Sequence, residues 1–406
     1  MKKLVSKTLT MLLLLLVGFL SIDAYAYADK VQDHKYGLIK QKLHAYFQKL
    51  SAEKIFSGAV LVAQNEHILL QGGFGLSNYE TGEKNKSKTA YGIGSLTKAF
   101  TAMSIMILEE RGLLNVYDTI DKYIPGYPNG DIVTIHHLLN HTSGIFEFLN
   151  DPTSTIWDNG LEYLALYHTP AQLLEYFINR PLYFAPGTQW SYCNSGYILL
   201  GIIVENVSGM SYADFIKKNI LDLLGMKNTL YDAYNLDFPN KAVGYNDVIS
   251  CPPEVSPLLH PSVAFAAGGI FSSVADMYKW DQALYTNRLV SSETLNRIFT
   301  PGLGNYGYGW VIDTIDIAGQ PYNQIGHGGS SLGYHSIISR LVDEKTTLII
   351  LQNTSAPNDS IADLEMMRNA VYNIIFNPCS GVETSAAVKL KLQQQQNVPQ
   401  SPRKIY

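Results

Sequence analysis

The sequence predicts an α/β (α+β) fold: an antiparallel sheet flanked by helices, with an all-helical lobe inserted between its first and last strands. Three observations carry this. Strand-like apolar runs occur early, at Gly58–Gln64 and His67–Gln71, and return only late, at Gly309–Asp313, Ser336–Leu341 and Thr346–Gln352. Between them, apolar residues recur at helical spacing and are interrupted by Pro and Gly turns. The chain is 406 residues long, 46% hydrophobic and 16% charged, which suits a large core. Strands from both ends of the chain must then share one lobe, about 35–95 with 262–378, against a helical lobe of about 96–261. A cleft between two lobes is a common place for a site.

The elements follow in order. Met1-Lys2-Lys3 and Lys7 make a positive start, Leu9 to Ile22 is nearly all apolar, and Ala24-Tyr25-Ala26 offers a small-x-small cleavage site. That pattern predicts a signal peptide over 1–26 and a periplasmic or secreted protein. The apolar run is shorter than the roughly 20 residues of a membrane span, so no stable span is expected after cleavage. Gly58–Gln64 and His67–Gln71, joined by Asn65-Glu66, read as a hairpin. Ser95 to Arg111 carries apolar residues at Leu96, Phe100, Met103, Ile107 and Leu108, a helical spacing closed by Gly112. Helical character recurs at Ile135–Asn140, Ala171–Ile178, Ser195–Val207 and Tyr212–Leu224, and a last amphipathic helix covers Ser360–Phe376. Residues 379–406 turn polar, with four consecutive glutamines, and read as a disordered tail.

The net charge of −5 is mild, with no basic patch, so no nucleic-acid partner is expected. Cys193, Cys251 and Cys379 are an odd count, which leaves at least one thiol free; a Cys251–Cys379 bridge is one arrangement open to them. No cysteine signature surrounds any of the three, so they read as structural. His136, His137 and His141 contain a His-x-x-x-His pair, yet the Glu of the zinc-protease signature is missing. No metal or organic cofactor is implied.

The chemistry concentrates in three short motifs. Ser95-Leu96-Thr97-Lys98 heads the first buried-looking helix; at i and i+3 a lysine amine reaches a serine hydroxyl, which needs a base to become a nucleophile. Tyr192-Cys193-Asn194 follows, then His327-Gly328-Gly329 at the end of a strand-like stretch. A nucleophile, a base, a second proton carrier and an oxyanion or substrate clamp are the parts of an acyl-transfer site. Ser-x-x-Lys alone is weak, since roughly one or two matches arise by chance in such a chain. Ser51-x-x-Lys54 is one such match, and it precedes a strand. Tyr127-Pro128-Asn129 and Tyr285-Thr286-Asn287 repeat Tyr-x-Asn, the first inside a Pro/Gly turn.

Taken together, the motifs resemble the serine beta-lactamase and penicillin-binding protein superfamily, on the branch of class C beta-lactamases and related hydrolases. Phe56–Val62, Val133–Gly144, Pro186-Gly187, Leu224–Met226 and Gly268–Ser273 fit the same family. The resemblance implies a beta-lactamase/transpeptidase-like fold and a serine hydrolase working through an acyl-enzyme. It implies Ser95 as the acylated nucleophile, with Lys98 and Tyr192 sharing the proton work; which of the two is the main base stays open. It implies Asn194 as a partner of both Lys98 and the substrate amide, His327 and Gly329 on the strand edge of the cleft, and the backbone N–H groups of Ser95 and Ser330 as the oxyanion hole. The expected substrate is a small molecule or peptide with an amide or ester bond, D-amino-acid peptides of the cell wall included. A carboxylesterase or transesterase of the same fold, and a non-catalytic binder of wall peptides, are the alternatives.

One position departs from the penicillin-recognising pattern, where Lys-Thr-Gly is common. Here the third motif begins with His327, and a histidine is only partly cationic at neutrality. Weak or no beta-lactamase activity is therefore expected. A rival reading, Gly329-Ser330-Ser331-Leu332-Gly333 as a nucleophile elbow, needs strand, turn and helix, whereas the residues that follow read as strand.

Overall fold

The computed structural model describes residues 32–231, 237–355 and 361–378. The expected signal peptide, the polar tail and Cys379 lie outside the described residues. A helix over 32–52 (α1) leads into a hairpin of β1 (Gly58–Gln64) and β2 (His67–Phe74). Its two-residue turn puts Asn65 and Glu66 at φ 49° and 68°, the left-handed pair that matches strand twist. Four more strands come from the end of the chain: β3 (Val311–Ile317), β4 (Gln320–Ser331), β5 (Tyr334–Leu341) and β6 (Thr346–Gln352). All six form one antiparallel sheet in the order β2-β1-β6-β5-β4-β3. The seam between the two ends of the chain is β1 on β6, with Gly58 opposite Gln352 and Gln64 opposite Thr346.

Helices cover both faces. On β1, Ala59, Leu61 and Ala63 enter one core, while Val60 and Val62 enter the other. This is why β1 and β6 are buried at every position instead of alternating. One core holds α1 and α6 (Ile361–Phe376), through Ile39, Leu43, Phe47, Leu364 and Val371. The other holds α2 (Thr97–Glu110), α3 (Asn194–Ser208), α4 (Pro261–Gly268) and α5 (Val274–Ala283). Every residue of α2 from Thr97 to Leu108 is buried, which marks a helix enclosed on all sides. Trp280 of α5 stacks on Phe100 of α2 at 4.2 Å between ring centroids.

Some elements differ from expectation. The helix expected over Tyr212–Leu224 is interrupted by a π-helical stretch, Lys217–Leu221. Ser95 sits in a 3-10 turn, Gly94–Leu96, and α2 proper starts at Thr97. β4 is the longest strand at 12 residues, yet only its His327 end reads as strand in sequence, because Pro, Gln, Asn and three glycines carry low strand propensity. Among the described residues no single helix is long and apolar enough to cross a membrane.

Candidate active site

Two glycines bring the nucleophile turn against the sheet. Gly94 has φ +50°, and a Cβ there would lie 2.7 Å from Ser330 N and 2.6 Å from Ser330 O. A Cβ on Gly329 would lie 2.1 Å from Ile93 O. Only glycine fits either place. Ser336 Oγ donates to Ile93 O at 2.7 Å and fixes the turn on β5. The backbones of Ser95 and Ser330 are thereby held side by side, the arrangement a pair of oxyanion donors requires.

Lys98 is fully buried at the head of α2. Its Nζ lies 3.0 Å from Ser95 Oγ, 2.7 Å from Asn194 Oδ1 and 2.9 Å from Ala267 O. A neutral amine has two N–H groups and one lone pair. Here two acceptors can only receive, and the third neighbour is a hydroxyl that can give. Burial pulls the Lys98 pKa down to about 7, against the opposing pull of Glu147 and Cys193. The Ala267 carbonyl faces α2 because α4 kinks at Phe265, whose φ of 39° and ψ of −125° are non-helical. Such a backbone costs about 1–3 kcal/mol and persists only where packing imposes it. The absence of a side chain on Gly201 of α3 makes room for that ring: a Cβ there would lie 2.4 Å from Phe265.

Glu147 is the residue that motif reading missed. Its buried carboxylate accepts from Asn194 N, from Asn194 Nδ2 at 2.8 Å, from Leu149 N at 3.0 Å and from Asn150 N at 3.3 Å. Burial raises its pKa, and the Asn194 bonds offset part of the rise. It also sits at the N-terminus of α3, where a negative charge is favoured. The Asn194 amide is thus spanned, Nδ2 to Glu147 and Oδ1 to Lys98, which orients it. Its one sequence signal is a lone carboxylate inside the apolar run Ile145-Phe146-Glu147-Phe148-Leu149.

Tyr192 is held by His141. The His141 carbonyl accepts from Ser191 N at 3.0 Å, and its Nδ1 accepts from Cys193 N at 3.0 Å. The two bonds bracket Tyr192, and the imidazole packs on its ring at 4.3 Å between centroids. His141 makes this possible by adopting φ 62°. Burial, then Lys98 and His327, push its pKa well below the usual range, so the ring is neutral. Burial raises the Tyr192 pKa, and a hydrogen bond with Ser95 opposes the rise. The Lys98 Nζ lies 4.7 Å from the centre of the Tyr192 ring.

His327 closes this side of the site. Its Nε2 is 2.8 Å from Tyr306 Oη, and its Nδ1 is 2.5 Å from Gly328 O. Burial, reinforced by Lys98, lowers its pKa to about 4. The ring is therefore neutral at pH 7, where the sequence suggests partial charge. Tyr306, unmarked in the sequence, packs on both His141 and His327, at 4.5 and 5.6 Å between centroids.

The structure so brings together Ser95, Lys98, Tyr192, Asn194, His327, Gly329 and Ser330. Other candidates fall elsewhere. His136 Nδ1 bonds Tyr308 Oη at 2.7 Å, and His137 completes a capping box with Thr134. Among the described residues no three His, Cys, Asp or Glu side chains are placed to share a metal ion. Gly329–Gly333 is the β4–β5 hairpin, strand to strand, so the elbow geometry is not met. Cys193 is buried, with Sγ 3.3 Å from Ile145 O, and Cys251 is exposed and, among the described residues, in no disulfide.

The chain is similar to known proteins in sequence and in fold. The sequence profile of the Beta-lactamase family matches residues 43–371. A penicillin-binding protein of Bacillus subtilis is 31% identical over 371 residues, 87% of this chain and 80% of that protein. Among solved structures, the octameric penicillin-binding protein homologue of Pyrococcus abyssi is similar with a TM-score of 0.68 and 29% identity, covering 82% of this chain and 76% of that one. A D-stereospecific amidohydrolase of Streptomyces is similar with a TM-score of 0.66 and 27% identity, covering 79% and 94%.

Proposed function

The chain belongs to the beta-lactamase family and is a serine hydrolase, and from that premise we propose that it cleaves amide or ester bonds of D-amino-acid derivatives through an acyl-enzyme on Ser95. The observation that carries this reading is the Lys98 environment: a buried amine with two fixed acceptors and its third direction on Ser95 Oγ. With a pKa near 7, much of Lys98 is neutral at physiological pH. It takes the Ser95 proton as Oγ attacks the carbonyl carbon, and the oxyanion forms between the Ser95 and Ser330 N–H groups. Tyr192, a phenol at this pH whose ring centre lies 4.7 Å from Lys98 Nζ, gives its hydroxyl proton to the leaving group and takes the proton held by Lys98 in its place. Water then releases the acyl group by the same route in reverse. The likeness to a D-stereospecific amidohydrolase supports a D-configured substrate. The neutral His327 supports weak activity on penicillins and cephalosporins, because no fixed cation stands at the third motif to hold their carboxylate.

We assign the protein to the periplasmic or secreted compartment on its basic, apolar N-terminus alone. N-terminal sequencing of the exported protein should begin at Tyr27; a start at Met1 would overturn the assignment. The hydrolase reading is tested by labelling with a fluorophosphonate and mapping the modified peptide, alongside a panel of D-alanyl peptides, acyl esters and a chromogenic cephalosporin. The label belongs on Ser95, and D-alanyl peptides or esters should turn over well ahead of the cephalosporin. A label elsewhere removes the proposed nucleophile; efficient cephalosporin turnover removes the substrate assignment.

A further inference from the structure

The hydrogen bonds of His327 fix its tautomer. Its Nδ1 lies 2.5 Å from Gly328 O, a carbonyl that only accepts, so the ring proton is on Nδ1. Nε2 is left with a lone pair. That lone pair faces Tyr306 Oη at 2.8 Å, and the phenol must donate to it. Tyr197 lies beside Tyr306 and gives its own proton to Leu139 O at 2.7 Å; a Tyr306 proton turned toward Tyr197 would instead set two lone pairs face to face at His327. Both imidazole nitrogens are therefore engaged, in a residue that is 7% exposed. His327 can offer a substrate its ring, with no N–H and no charge.

Tyr306 is built into this place. Gly304 and Asn305 have φ 68° and 55°, two left-handed residues in succession ahead of it. A Cβ on Gly304 would come within 2.5 Å of the Trp190 indole, so the turn lies flat against that ring. The Tyr306 carbonyl accepts from Gly302 N at 3.0 Å. Its ring sits between His141, Trp190 and Tyr192, at 4.5, 6.3 and 6.4 Å between centroids, and is buried.

Direction follows from the proton chemistry. A leaving group must depart toward the proton carriers, Tyr192 and Lys98, and the His327 ring lies 6.2 Å from the Tyr192 ring. A carboxylate on the carbon next to the scissile nitrogen would meet His327 there and find neither a cation nor an N–H, and an unpaired charge in such a place is disfavoured. We propose that Tyr306 is a specificity-determining residue that acts through His327: by holding Nε2 as an acceptor, it selects acyl donors whose leaving group is uncharged, an alcohol or an amine without a free carboxylate. The proposal rests on the reading of Ser95 as nucleophile and narrows the substrate class of that site.

Two peptides that differ only in the leaving group test it, acetyl-D-alanyl-D-alaninamide and acetyl-D-alanyl-D-alanine, with Ser95 labelling run in parallel. The kcat/KM for the amide should exceed that for the acid by about tenfold or more, the scale of one hydrogen bond to a charged group. Taken at one pH, the ratio is free of the Lys98 titration. Tyr306→Phe keeps the ring and frees Nε2 to carry a proton to a carboxylate, so the ratio should fall severalfold; a loss of folded protein would lower both rates alike and leave the ratio as it was. Imidazole 15N NMR of the parent protein should show the Nδ1–H tautomer of His327 at neutral pH, and in Tyr306→Phe the ring should protonate at higher pH, because a bond to its neutral form is gone. An Nε2–H tautomer in the parent protein, or a ratio unchanged in Tyr306→Phe, would overturn the role of Tyr306. Equal rates on the two peptides, a faster acid, or turnover of neither, with Ser95 labelled, would overturn the proposal and leave the hydrolase reading standing. Turnover of neither with no label on Ser95 would remove both.

Discussion

The two sides of Ser95 are built in opposite ways. Toward α3, six side chains interlock: Lys98, Asn194, Glu147, His141 and His327 are buried and Tyr192 is partly so, with hydrogen bonds to each other or to backbone. Toward Leu332, the wall mixes polar and apolar side chains around a cavity of about 490 Å³ and is open to water at Val255 and Leu258. The difference separates two degrees of constraint. Proton transfer depends on distances fixed to a few tenths of an ångström, which low-dielectric packing and paired polar groups supply. A wall of mixed polarity around open volume is less tightly constrained and tolerates variation in the side chains that build it. Substitutions on the first side should change how fast the bond breaks or which bond is chosen; those on the second should change either little.

The largest effect should come from the boundary itself. Ser95→Ala is expected to lower kcat by about 10⁴-fold or more on every ester and peptide alike, the scale seen when a nucleophile is removed. A residual rate within tenfold of the parent protein would mean that another group attacks. On pH, the sign follows from Lys98. Its folded pKa of about 7 lies below the ordinary value, so the amine is protonated and unable to act as base below that pH. The kcat/KM should rise about tenfold per pH unit through the acid range and level off above about 7. A rise centred near pH 10 would mean that burial does not tune this lysine.

Glu147→Gln breaks the interlocked side from behind. Four N–H groups point at the carboxylate, and a glutamine must turn its own NH2 toward some of them. A stability loss of about 1–3 kcal/mol is expected, with kcat down about 10–100-fold as Asn194 loses its hold. Unfolding alone would not move the pH profile. Glu147 raises the Lys98 pKa, so its removal should shift the rising limb to lower pH. A limb that stays in place would show that the two groups are not electrostatically linked.

These residues also show what the sequence makes legible. β1 and β6, the helix α2 and the three motifs are visible because each depends on local pattern: apolar runs, helical spacing, short spacings in fixed order. β4 is hidden by its glycines, although one of them, Gly329, lets the nucleophile turn touch the strand. Glu147 and Tyr306 are hidden because their roles arise from contacts across 47 and 21 residues of chain, to Asn194 and His327. The direction of the His327 shift is hidden too, since burial decides it and composition does not report burial.

His141 and Ser331 give the smaller tests, one from each side. His141→Ala strips the acceptor from Cys193 N–H and loosens the bracket on Tyr192, so kcat should fall about tenfold with KM little changed. Asparagine tolerates positive φ and offers Oδ1 near the place of Nδ1, so His141→Asn should recover much of the loss; equal defects in both variants would leave the bracket without a catalytic effect. Ser331→Ala should matter least. Its hydroxyl belongs to the β4–β5 hairpin, where no helix follows to raise it as a nucleophile. Acetate ester turnover should stay within about twofold, as for ordinary surface substitutions. A collapse of activity there would move the nucleophile from the interlocked side of the site to its open side, and the contrast between the two would fail.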